Sequence, residues 1–82
     1  MSSFNLNTYV IGGPENIQER HLLPSETKSE ALVRFVDIFS SLGLDVFQLR
    51  FKNSSDDDFL KLANEIVQVL KNTNCKLCIN DN

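Results

Sequence analysis

Gly43-Leu44-Asp45-Val46-Phe47-Gln48-Leu49-Arg50-Phe51-Lys52 is the stretch that decides the fold. Gly43 closes a helical pattern, and a strand is predicted at once over 44–50. Alternate side chains of a strand share a face. Gln48, Arg50 and Lys52 therefore fall on one side, and Phe47, Leu49 and Phe51 on the other. An amide, a guanidinium and an ammonium converge where a phosphorylated ligand can be gripped. Parallel sheets are normally covered on both faces, which weighs against reading this polar row as a solvated one. The sequence closes on Ile79-Asn80-Asp81-Asn82, a second strand end bearing an amide and a carboxylate. Asn-Asp alone is also ordinary turn chemistry. Its place beside the first row makes the two strand ends look like half of a phosphate and metal site.

Working outward, Thr27-Lys28-Ser29-Glu30 fits a capping box, and Leu32, Phe35, Val36, Phe39 and Leu42 follow at helical spacing, which predicts a helix over about 28–42. Gly43 supplies the left-handed position that ends it. On the other side, Asn53-Ser54-Ser55 makes a turn, and a second helix is predicted over about 56–71 with Phe59, Leu62, Ala63, Ile66 and Leu70 inward. Asp56, Asp57 and Asp58 fill its first turn, where the helix dipole accounts for them without a metal. Strands are predicted over about 75–79 and 8–11, the latter stopped by Gly12-Gly13-Pro14. The stretch from Pro14 to Pro24 is polar and aperiodic, a long loop in which Arg20 and His21 read as surface residues. The order is strand, helix, strand, helix, strand, with crossovers long enough for a parallel sheet. The fold class is α/β, in one domain spanning 1–82.

Composition narrows the function classes. The chain has 82 residues, 41% hydrophobic and 23% charged, with a formal charge of −3. Scattered Lys and Arg form no basic stripe with interleaved aromatics, which excludes the usual nucleic-acid footprint. No apolar run approaches the roughly 20 residues of a membrane span, and the N-terminus has no signal-peptide pattern. The cytoplasm is the expected compartment. Cys75 and Cys78 have C-x-x-C spacing. Within a strand, residues three apart face opposite ways, and only one His is present to help complete a zinc site, so both read as buried structural thiols.

Two parallel architectures open in this way. A dinucleotide fold wants G-x-G-x-x-G after the first strand. Gly12-Gly13-Pro14 does not match it, and no Walker A lysine follows. In a TIM (β/α)8 barrel, ligand groups project from the C-terminal ends of the strands. Gln48, Arg50, Lys52, Asn80 and Asp81 lie at such ends.

At these residues the chain resembles the thiamine phosphate synthase family, from Tyr9 to Asn82. Members open with a Tyr-Val-Ile type strand, place Q-L-R-x-K at the end of strand two, and finish strand three with I-N-D. Here these read Tyr9-Val10-Ile11, Gln48-Leu49-Arg50-Phe51-Lys52 and Ile79-Asn80-Asp81. The related thiazole tautomerases share the barrel, but Gln48 tilts the resemblance toward the synthase. The resemblance implies a transferase that joins hydroxymethylpyrimidine diphosphate to a thiazole phosphate and releases pyrophosphate with Mg2+. It implies that Gln48, Leu49, Arg50, Phe51, Lys52 and Asn80 bind the pyrimidine diphosphate and that Asp81 is a metal ligand. A hard carboxylate oxygen suits Mg2+, which takes one or two carboxylates plus phosphate oxygens and waters.

A complete barrel has about 250 residues and eight strands. The sequence offers three, so it is expected to be a partial barrel, inactive alone unless a complementing C-terminal chain or a homo-oligomer covers its strand edges. Substantial turnover by the purified chain, abolished by Asp81→Ala, is the result that would sink this expectation. The alternatives are a non-catalytic phosphate-binding or self-associating half-barrel module, and a tautomerase-like fragment.

Overall fold

The structure is a computed structural model that describes residues 9–52 and 55–80. Three strands, β1 (Tyr9–Gly12), β2 (Val46–Arg50) and β3 (Lys76–Asn80), form one sheet in the order β1-β2-β3, and both pairings are parallel. Helices α1 (Lys28–Ser41) and α2 (Asp56–Leu70) make the two crossovers. This is an α/β unit consistent with a partial barrel. Its one-directional winding is shared by the opening of a barrel and by one half of a doubly wound sheet.

Local chemistry sets the helix ends. The Thr27 hydroxyl accepts from the Glu30 N–H at 3.1 Å, and the Glu30 carboxylate accepts from the Thr27 N–H at 2.9 Å. At the other end of α1 the Leu44 N–H donates to the Phe39 carbonyl at 2.9 Å and the Gly43 N–H to the Ser40 carbonyl at 3.2 Å. These are the two bonds of a Schellman motif, and they require the left-handed backbone that Gly43 adopts at φ +107°. The chain therefore passes from α1 to β2 in four residues, 42–45. Ser55 caps α2 by accepting from the Asp58 N–H at 3.1 Å.

Both helices lie on one face of the sheet. Phe47 and Leu49 of the central strand are buried in a single cluster with Ala31, Leu32 and Val36 of α1 and Leu62, Ile66 and Leu70 of α2. The alternation that sends Phe47 and Leu49 inward leaves Val46, Gln48 and Arg50 on the opposite face. By register these stand level with Lys76, Cys78 and Asn80 of β3, and Tyr9 and Ile11 of β1 stand level with Val46 and Gln48. No described helix covers this second face, and Tyr9 and Ile11 are 52% and 54% exposed on it.

Two readings of the sequence need correction. Cys75 is buried, and its burial pushes the thiol above the ordinary range, but Cys78 is exposed. The alternation places Cys78 on the open face, where it packs against no helix. The stretch after β1 is also more ordered than its composition suggested. It contains 3-10 turns at Pro14–Asn16 and Glu19–His21, and Ile17 between them is anchored in the core.

Candidate functional site at the strand ends

The site begins with a close contact between two backbones. Gly13, just past β1, has an extended backbone at φ −151°. A Cβ built on it would lie 1.9 Å from the Arg50 carbonyl oxygen, so the loop leaving β1 runs against the end of β2 at a distance only glycine permits. The turn that follows is pinned twice. Asn16 Oδ1 accepts from the Gly13 N–H at 2.8 Å, and the Asn16 N–H donates to the Gly13 carbonyl at 3.0 Å. Glu15 is thereby turned back toward Gly13, its Oε1 lying 2.9 Å from that same Cβ position.

These constraints shape a cleft of about 290 Å3 lined by Ile11, Gly12, Glu15, Asn16, Arg50 and Lys52. Two cations and one carboxylate share it. Both cations are exposed to solvent, Arg50 as the last residue of β2 and Lys52 just beyond it. Gln48 is half-buried on the open face, and its Oε1 accepts a hydrogen bond from the Tyr9 hydroxyl.

The remaining predicted site residues divide by position. Leu49 is 0% exposed within the core, and Phe51 is half-buried against it, so their side chains turn away from the cleft. Asn80 is the register partner of Arg50, which sets the two strand ends level. Asp81 lies outside the described residues. Glu15, Asn16, Gly13 and Tyr9 were not among the sequence candidates. The Gly-Gly-Pro triplet was the available signal for the first three, read only as a turn. Tyr9 entered only as part of the opening strand, and nothing tied it to the site, because the residue it contacts is 39 positions away.

The loop between β1 and α1 is held by a second cluster. Arg34 Nε donates to Glu26 Oε2 and its Nη2 to Glu26 Oε1, each at 2.9 Å, and Nη2 also donates to the His21 carbonyl at 2.9 Å. Glu26 Oε1 accepts from the Leu23 N–H at 3.0 Å as well. The Arg34 guanidinium first, and the Leu23 N–H second, hold the Glu26 carboxyl down at about 2, from an ordinary 4.5. The Arg34 guanidinium also sits 4.8 Å from the centre of the Phe35 ring, and the His21 ring meets Phe35 edge-on at 5.9 Å. Arg20 and His21 are surface residues, as their composition suggested, but the His21 main chain belongs to this clamp.

No group of three His, Cys, Asp or Glu side chains able to hold a metal occurs among the described residues. Asp56, Asp57 and Asp58 are exposed in the first turn of α2. No helix among the described residues is long and apolar enough to cross a membrane.

Parallel α/β units form a class of proteins whose ligand sites lie at the C-terminal ends of the strands, and this three-stranded unit has two cations at the end of its central strand. Within that class the chain belongs to the family described as Thiamine monophosphate synthase, whose model matches residues 19–82. The match takes in α1, β2, α2 and β3, and with them the Gln48–Lys52 segment and Asn80-Asp81. No curated protein and no solved structure matches the chain.

Proposed function

We propose that this chain supplies the pyrimidine-diphosphate side of a thiamine phosphate synthase site. In this reading the βαβαβ unit is the opening of a (β/α)8 barrel. Hydroxymethylpyrimidine diphosphate and a thiazole phosphate are its substrates, and pyrophosphate is the leaving group. The observation that carries the reading is the meeting of Arg50 and Lys52 in one cleft, beside Gly12, in a chain of this family.

The chemistry follows from charge. The bond from the pyrimidine methylene to the diphosphate oxygen breaks, and the methylene carbon bonds to the thiazole nitrogen. The electron pair of the broken bond stays with pyrophosphate, so negative charge grows on its oxygens. A guanidinium binds such oxygens bidentately and an ammonium acts as a point charge, so Arg50 and Lys52 stabilise the departing group. Positive charge builds on the methylene if departure runs ahead of bond formation, and little is then asked of an acid or base. The amides of Gln48 and Asn80 hydrogen-bond the pyrimidine or the phosphate oxygens. Leu49 and Phe51 have side chains turned to the core, so these positions serve the site by anchoring the end of β2 beneath it.

Asp81 would supply one carboxylate to Mg2+, which would neutralise part of the charge on the departing pyrophosphate.

Calorimetric titration with pyrophosphate tests the reading. Removing a charged hydrogen-bonding partner costs about 1.5–3 kcal/mol, so Arg50→Ala is expected to bind roughly 10- to 150-fold more weakly. Equal affinity of Arg50→Ala and the parent chain would remove the cleft from consideration.

A further inference from the structure

Tyr9 begins β1 on the open face of the sheet, half exposed, and the reading of the strand ends gives it no part. Its hydroxyl nevertheless donates to Gln48 Oε1. Tyr9 is level with Val46, and Gln48 is level with Ile11 two residues further along each strand, so the phenol reaches toward the C-terminal ends. A glutamine amide carries one acceptor oxygen and two N–H donors. With Oε1 engaged by Tyr9, the donors on Nε2 are what Gln48 has to offer a ligand.

A free amide presents either end to a partner, whereas a tethered one discriminates. An aminopyrimidine offers acceptors at its ring nitrogens and donors at its exocyclic amine, and a diphosphate offers acceptors only. We propose that Tyr9 is a positioning residue that holds the Gln48 amide with its N–H groups toward an acceptor atom of the pyrimidine diphosphate. This rests on the reading of Gln48 as a ligand-binding residue. Tyr9 acts through Gln48 and touches no reacting atom.

The two ideas separate in one set of measurements. In the free protein, the Gln48 side-chain amide is followed by 1H–15N correlation spectra. Tyr9→Phe removes the tether, and the amide resonances are expected to shift and their protons to exchange faster with water; an unchanged Gln48 signal overturns the proposal without reference to any ligand. Calorimetry then compares hydroxymethylpyrimidine diphosphate with pyrophosphate. A neutral hydrogen bond is worth about 0.5–1.5 kcal/mol, so Tyr9→Phe is expected to weaken the pyrimidine compound roughly 2- to 12-fold. In a Gln48→Ala background Tyr9→Phe is expected to add nothing. The pyrophosphate affinity is the control, since a structural collapse of the cleft would weaken both compounds alike. If Tyr9→Phe adds its full loss on top of Gln48→Ala, or binds the pyrimidine compound as tightly as the parent, the tether has no part in recognition although Gln48 keeps its own. If Gln48→Ala leaves the pyrimidine affinity unchanged, or the parent chain binds neither compound, the reading of Gln48 fails and takes the proposal with it.

Discussion

Gly13→Ala is the sharpest perturbation available, because its effect can be worked out from one contact. The new Cβ would stand 1.9 Å from the Arg50 carbonyl oxygen and 3.0 Å from the Arg50 carbonyl carbon. Real Cβ contacts essentially never fall below 3.0 Å, so the loop and the end of β2 must part by more than an ångström. Glu15 Oε1, at 2.9 Å from the Cβ position, belongs to a mobile side chain and can move aside, but the Arg50 carbonyl is main chain and cannot. Overpacking of this kind costs about 1–3 kcal/mol. In a chain of this size each kcal/mol lowers the melting temperature by roughly 4–8 °C. Urea denaturation followed by circular dichroism measures the loss, and pyrophosphate titration measures the displacement of Arg50, so both stability and affinity are expected to fall. Gly12→Ala is the internal control, since its Cβ would meet nothing closer than Asn16 Oδ1 at 3.6 Å and is expected to be far milder. If Gly13→Ala unfolds within about 0.5 kcal/mol of Gly12→Ala, a difference ordinary for harmless surface changes, the close approach of the two backbones is refuted.

Four further outcomes are expected. Leu49→Ala deletes a fully buried side chain beneath the cleft and should cost about 2–5 kcal/mol in urea denaturation, whereas Leu60→Ala, on the exposed side of α2, should cost far less. Glu15→Gln removes the carboxylate that shares the cleft with Arg50 and Lys52, and pyrophosphate should bind up to about fivefold tighter, the range of an exposed charge interaction. Glu26 has a folded pKa of about 2 against an ordinary 4.5, so its contribution to stability is complete above pH 4.5, declines as pH falls and is gone below about 2. Denaturation midpoints between pH 2 and 6 should therefore fall less steeply in Arg34→Met than in the parent chain, and parallel slopes would show that the clamp does not form. Finally, a thiol reagent should modify exposed Cys78 in the folded protein and buried Cys75 only on unfolding, as mass spectrometry of the labelled peptides would show.

What the sequence made legible was whatever local chemistry dictates. The Thr27–Glu30 box, the Gly43 stop and the alternation through Phe47, Gln48, Leu49 and Arg50 each depend on residues within a few positions of one another, and the structure carries all three. Pairing in the order β1-β2-β3 follows from crossovers that join neighbours. Less accessible was anything set by approach across the chain. Gly13 meets Arg50 from 37 positions away, and Tyr9 meets Gln48 from 39, so neither leaves a local pattern. The turns after β1 escaped for a different reason. Their order comes from Ile17 reaching the core and from Arg34 gripping Glu26 and the His21 carbonyl, and a single apolar residue in a polar stretch has no period to detect. Cys78 was misjudged because a free Cys usually packs as a small hydrophobe, whereas the alternation puts this one on the face that no described helix covers.

The two-sided pairing of β2 has a consequence for how the molecule opens. Among the described residues β2 alone has a neighbour on each edge, and its Phe47 and Leu49 join both helices into one cluster. Contacts to both helices and to a strand on each edge put such a strand among the last elements to open, while the flanking strands fray first. Amide exchange with deuterated water should therefore be slowest at 46–50, and the exchange free energy there should approach that of global unfolding. The segment that ends in Arg50 and leads directly to Lys52 would then also be the slowest clock in the protein, so an anion in the cleft acts on the part of the chain that yields last.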